Sequence, residues 1–128
     1  MDFPDYNTVQ EWLGEELEAL PEAFFEGLNL GVVLMETTQY HEKSRPESPL
    51  FILGQYQRSG IGAQIVIYYG SFRAAYRGYS EERIREERRG TLRHEFRHHM
   101  EIRSGFRDLE EEDAYHLAKY EERFREHE

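Results

Sequence analysis

Five consecutive residues carry most of the chemical potential of this chain: His94-Glu95-Phe96-Arg97-His98. On an α-helix, residues i and i+4 lie one above the other, so both imidazoles can reach a single Zn²⁺ at about 2.0–2.1 Å. Glu95 is turned about 100° from His94, which aims its carboxylate at the water such an ion would hold rather than at the ion. There it can take the water's proton as general base and hand it later to a leaving amine. Zinc supplies what a carboxylate cannot, lowering the water pKa to about 7 and polarising a scissile carbonyl. With the His and Glu frequencies of this chain, the motif arises by chance in about 5% of cases, so its surroundings must agree with it.

The first demand is a helix around the motif. Ser80 is a suitable N-cap, and the pattern predicts a helix from Glu81 to about Arg103, with Gly90 inside it and Gly105 as its C′ residue. The strongest strand signal, Ala63 to Tyr69, precedes this helix, with Gly70 as its end. Earlier, Thr8 and Glu11 match a capping box for a helix from Thr8 to about Leu20, its apolar face made by Val9, Trp12, Leu13, Leu17 and Leu20. A short helix over Glu22–Glu26, a strand over Gly31–Thr37, a loop over Gln39–Pro49, a strand over Leu50–Tyr56 broken at Gly54, and a turn at Ser59–Gly62 fill the interval. Asp108, with Glu111, caps a last helix that runs towards the C-terminus. The order predicts one α+β domain over residues 1–128, with helices packed on one face of a small sheet.

Several stretches resemble the minimal zincin-like metallopeptidases, a family of small bacterial proteins. Leu20-Pro21-Glu22-Ala23-Phe24 with Val32-Val33-Leu34 resembles the family's opening, and Ile52-Leu53-Gly54-Gln55-Tyr56 its leucine-glycine-tyrosine segment. Ile65 to Gly70 resembles the strand before its active-site helix, and Thr91 to His99, with the doubled His, its signature. The resemblance implies a zincin-like fold, a short twisted sheet against an active-site helix and a C-terminal helix. It also implies a zinc-dependent peptidase acting on a peptide or protein substrate. The family places a Gly seven positions after the first His and an acid three further on. Here those positions hold Glu101 and Ser104, and Gly105 and Asp108 follow four residues later.

Those four residues lengthen the helix by about one turn, or roughly 6 Å. A chain returning antiparallel recovers the turn at Glu112, which is preferred over Asp108 as third metal ligand. Glu101 shares a helix with both His and suits tetrahedral coordination poorly.

Net charge and composition exclude other classes. The chain has no cysteine, which removes thiolate metal sites and disulfide scaffolds. A net charge of -10 opposes nonspecific binding to nucleic acid or anionic membranes. The N-terminal stretch has no leader pattern, so a cytoplasmic location is expected. Residues 1–30 carry eight acids and no base, whereas residues 73–107 carry ten Arg against six Glu. Pairing of Arg85, Arg89, Arg93 and Arg97 with Glu11, Glu15, Glu18 and Glu22, or with the acidic last helix, is the expected outcome, with recognition of an acidic side chain or C-terminal carboxylate, Arg97 foremost, as the sharper alternative. His99, about 100° from His98 on the helix, is expected to bond within the fold, and His41, His116 and His127 to lie on the surface. Asp113 could orient a ligand His. If the Ala63–Tyr69 strand is an edge, a peptide could add to it, with the outward member of Tyr68 and Tyr69 near the oxyanion. The rival reading is a non-catalytic zinc domain, in which the ion serves stability or partner recognition.

Overall fold

The computed structural model describes residues 3–104. The order is α1 (Tyr6–Glu18), a 3₁₀ turn (Glu22–Phe25), β1 (Val32–Met35), β2 (Gln39–Tyr40), β3 (Phe51–Ile52), β4 (Gly54–Ser59), β5 (Gly62–Tyr68), α2 (Tyr69–Tyr76) and α3 (Glu81–Ser104). Three strands form a mixed sheet in the order β1-β5-β4, with β1 parallel and β4 antiparallel to β5. β2 and β3 make a separate two-stranded pair. This is an α+β arrangement, and no described helix is long and apolar enough to cross a membrane.

The apolar run of β5 sits at the sheet's centre because it has neighbours on both sides. Ile65 and Ile67 lie on the core face, fully buried beside Leu34 of β1. α1 adds Val9, Trp12 and Leu13 to this core, and α3 adds Ile84, Leu92 and Phe96. Phe24 and Phe25 pack on Phe96 with ring centroids 6.0 and 5.3 Å apart, so aromatics fill volume that scarce aliphatics leave.

Several local expectations are revised. α1 is capped by Asp5, whose carboxylate accepts from the Thr8 backbone N–H at 2.8 Å; that bond holds the Asp5 carboxyl below its ordinary value. Thr8 is therefore inside the first turn and its capping box does not form. Leu50–Tyr56 is two strands of different sheets, which part at Leu53, and part of the expected Gln39–Pro49 loop is β2. Gly70 does not end the chain's regular structure; it lies in the first turn of α2. A Cβ there would collide with Thr37 and Thr38, and its N–H donates to the Thr37 carbonyl at 3.1 Å. Close approach, not termination, is what this glycine provides.

α1 is joined to α3 by a buried ion pair. Arg88, 0% exposed, donates through both terminal nitrogens to the two carboxylate oxygens of Glu16. Its guanidinium lies 5.5 Å from the centre of the Trp12 ring. Desolvation pulls the Arg88 pKa down, and the Glu16 carboxylate opposes that shift. Removing the carboxylate leaves a buried cation uncompensated, so Glu16→Ala should lower the unfolding free energy by about 3–5 kcal/mol in denaturant titrations, whereas Glu11→Ala should change it by less than about 0.5 kcal/mol.

Candidate metal centre

The placement of α3 determines the site. Ser80 caps it, accepting from the Arg83 backbone N–H at 3.2 Å, and the helix continues through Gly90 without a break. Thr91, Glu95 and His99 follow at i+4 steps and stack along one side. Two of these three touch β4. The Thr91 methyl is so close to Gly54 that a Cβ there would stand 2.9 Å from it. The Tyr56 hydroxyl lies 2.6 Å from His99 Nδ1. Glu95 falls between those contacts and is 5% exposed.

His99 is gripped from both ends. Its Nε2 lies 2.6 Å from the Glu26 carbonyl oxygen, which can only accept. Nε2 therefore carries the proton, and Nδ1 accepts the Tyr56 hydroxyl proton. Burial raises the Tyr56 pKa, offset in part by the positive charges of Arg58 and Arg103. The expected internal role of His99 is the one observed, although its partners, Tyr56 and the Glu26 carbonyl, carried no local sequence signal.

His94 and His98 lie on the rim of the buried arc of α3 and are half-exposed. Their rings are 4.8 Å apart between centroids and perpendicular. One ligand atom from each of His94, Glu95 and His98 falls within a span of 4.8 Å. The donor set, two imidazoles and a carboxylate, is chemically suited to a divalent ion such as zinc. Two atoms bound to one zinc at about 2.0–2.1 Å stand no more than about 4.2 Å apart. The span exceeds that limit slightly, so a single ion among these groups would need small ring adjustments or a water between it and the carboxylate.

Glu112, Asp108, Asp113, His116 and His127 lie outside the described residues. Glu101 is on α3 beside Arg97, which it approaches at 3.7 Å. Arg85 meets Glu15 at 3.5 Å and covers the Trp12 ring at 4.7 Å, as the charge pattern anticipates for that member of the stripe. Arg88, one face over, makes the buried pair instead. Its signal was present: Ile84, Arg88, Leu92 and Phe96 recur every four residues, so Arg88 stands in an apolar row. His41 is half-buried, and its Nδ1 accepts from the Lys43 backbone N–H at 3.0 Å. Neither tyrosine of the Tyr68-Tyr69 pair points outward. Tyr68 donates to Gln55 at 2.7 Å, and Tyr69, already in α2, donates to the Pro4 carbonyl at 2.6 Å. β5 is the central strand, so the open edge on the α3 side, among the described residues, belongs to β4.

The chain is similar to a solved structure described as a conserved hypothetical protein from Thermus thermophilus, at 28% identity and a TM-score of 0.65, over 79% of this chain and 98% of that one. No protein-family profile and no curated protein matches the chain. The likeness supports the fold; that description assigns no activity.

At Gly54 the Thr91 methyl of α3 lies directly against the sheet. Gly54→Ala should push Thr91 away and destabilise the fold by about 1–3 kcal/mol in denaturant titrations. Thr91→Ala removes the colliding methyl, so the double variant should recover much of that loss; a purely additive double variant in a thermodynamic cycle would contradict the contact.

Proposed function

We propose that this protein is a zinc-dependent peptidase of zincin-like fold, with His94 and His98 as two ligands of the ion and Glu95 as its proton-transfer group. The observation that carries the reading is the convergence of His94, Glu95 and His98 within 4.8 Å on one helix, with Glu95 buried and both imidazoles partly exposed. Glu112 is the proposed third ligand and Asp108 the alternative, on the helical-turn argument from the sequence.

When bound, zinc would polarise the scissile carbonyl and bring the ionisation of water close to neutral pH. The remaining work falls to the chain. Glu95, screened from bulk solvent between Thr91 and His99, takes a proton from the attacking water. It then delivers that proton to the nitrogen of the departing amine, so one carboxylate serves first as base and then as acid. An extended peptide substrate pairs with the open edge of β4, whose residues run alongside α3 from Thr91 towards Arg103. The retention of a carboxylate at position 95 favours catalysis over a purely structural ion, because a structural site has no use for a base.

Elemental analysis of the purified protein should find about one zinc per chain. His94→Ala and His98→Ala should lose it. Glu95→Gln should keep it and lose about 10²–10⁴-fold in peptide hydrolysis. Hydrolysis by Glu95→Gln at the wild-type rate would reject the mechanism. Among Glu112→Ala and Asp108→Ala, the variant whose zinc affinity collapses identifies the third ligand; an unchanged affinity in Glu112→Ala would reject the preferred one.

A further inference from the structure

A cavity of about 120 Å³ lies between the β4–β5 hairpin and the last turns of α3. Tyr56, Arg58, Ser59, His99, Arg103 and the backbone at Gly27 line it. It faces away from the two imidazoles: His99, which lines it, is turned about 100° from His98, and Arg103, five residues beyond His98, stands about 140° around the helix and roughly 7.5 Å further along its axis.

The side chains that line this space are predominantly donors. Arg58 makes no hydrogen bond or ion pair with any described residue. Arg103 donates through Nη1 to the Glu26 carbonyl at 2.8 Å and approaches the Glu26 carboxylate at 3.5 Å. Both contacts use one nitrogen, so the Nε–Nη2 edge, which can give two parallel bonds to an oxyanion, is not bonded to a described residue. Ser59 adds a hydroxyl. Both guanidiniums line the same cavity, beside Tyr56. Among the described residues no carboxylate lines the cavity, in a chain whose net charge is -10.

The walls are fixed in place. Asn29 pins the hairpin from outside the sheet, donating to the Ile61 carbonyl at 2.9 Å and accepting from the Ala63 N–H at 3.0 Å. Gly62 lies against that amide with no room for a Cβ. On the other side, Gly27 has φ +78°, and the Arg103 side chain lies against it so that a Cβ there would stand 3.1 Å from Nε.

We propose that this cavity binds a small oxyanion, a phosphate group or a carboxylate, between Arg58 and Arg103 with the Ser59 hydroxyl as third donor. The site stands independently of the peptidase reading. The test is titration of the full-length protein with inorganic phosphate, followed by calorimetry and backbone amide shifts. Saturable binding is expected, with shifts centred on residues 58–62 and on Arg103. Arg58→Gln, at an exposed position without a described partner, should fold normally, keep its zinc content and bind phosphate at least about tenfold more weakly, while Arg58→Lys should fall between. A parallel arm uses an acetylated dipeptide with a free C-terminal carboxylate, and its amide. Tighter binding of phosphate assigns a phosphate-group ligand, and tighter binding of the free carboxylate over the amide assigns a carboxylate. The double variant His94→Ala/His98→Ala should retain binding in either case. Absence of saturable binding, an unchanged affinity in Arg58→Gln, or loss of binding in the His94/His98 double variant would overturn the proposal.

Discussion

The hydrogen-bond chain Tyr56–His99–Glu26 fixes α3 about its own axis, and the polar geometry of the molecule depends on it. An imidazole bonded at both nitrogens to two different elements cannot rotate with its helix without breaking both bonds. Burial makes such a loss expensive, because each freed group would be left unsatisfied away from water. With His99 held inward, His98 is carried about 100° round, to the edge of the buried arc, and His94 stands one turn before it. The adjacent histidines thus divide the work: one is a fastening and the other faces solvent as a ligand-capable ring.

A second fastening acts at the other end of the helix. The Arg88–Glu16 pair and the Arg85–Trp12 contact hold the first turns of α3 to α1. A buried ion pair contributes little net stability compared with a well-packed apolar pair, but it penalises every misalignment that separates the charges. This explains the charge segregation along the chain. The acidic N-terminal helix meets the basic face of α3, and the most desolvated member of each set finds the other. Surface pairs such as Arg97–Glu101 are worth much less, being solvated and screened.

What was legible in the sequence was what local spacing encodes. The HExxH spacing on a helix, the Ser80 cap and the apolar run of β5 each depend on neighbours within a few residues. Non-local facts were not legible. That β5 is central and β4 is the edge follows from which strands pair, and nothing in the run Ile65–Tyr68 distinguishes a central strand from an edge. Gly70 and Gly54 read as breaks because glycine often is one, whereas here both permit close packing across long sequence separations. The charged stripe carried Arg85 to Glu15 as its spacing implies, but it passed over Arg88, because a solvated face is the usual place for arginine. The apolar row that contains Arg88 held the contrary signal.

α3 therefore buries three ionisable side chains, Arg88, Glu95 and His99, on a face where aliphatic residues would pack more cheaply. Arg88 is explained by Glu16, and His99 by Tyr56 and the Glu26 carbonyl; both are structural explanations, and both would survive the loss of any metal. Glu95 lies on the same face, immediately beside two half-exposed imidazoles rather than deep against α1. A leucine at that position would fill the space between Thr91 and His99 without the desolvation that a carboxylate carries. The proposed role would use the acid: a group that exchanges protons with a substrate water has to be ionisable, close to the side chains that would hold the ion, and shielded from bulk solvent. Position 95 meets the last two conditions through the way α3 is fastened, and the first through the choice of residue.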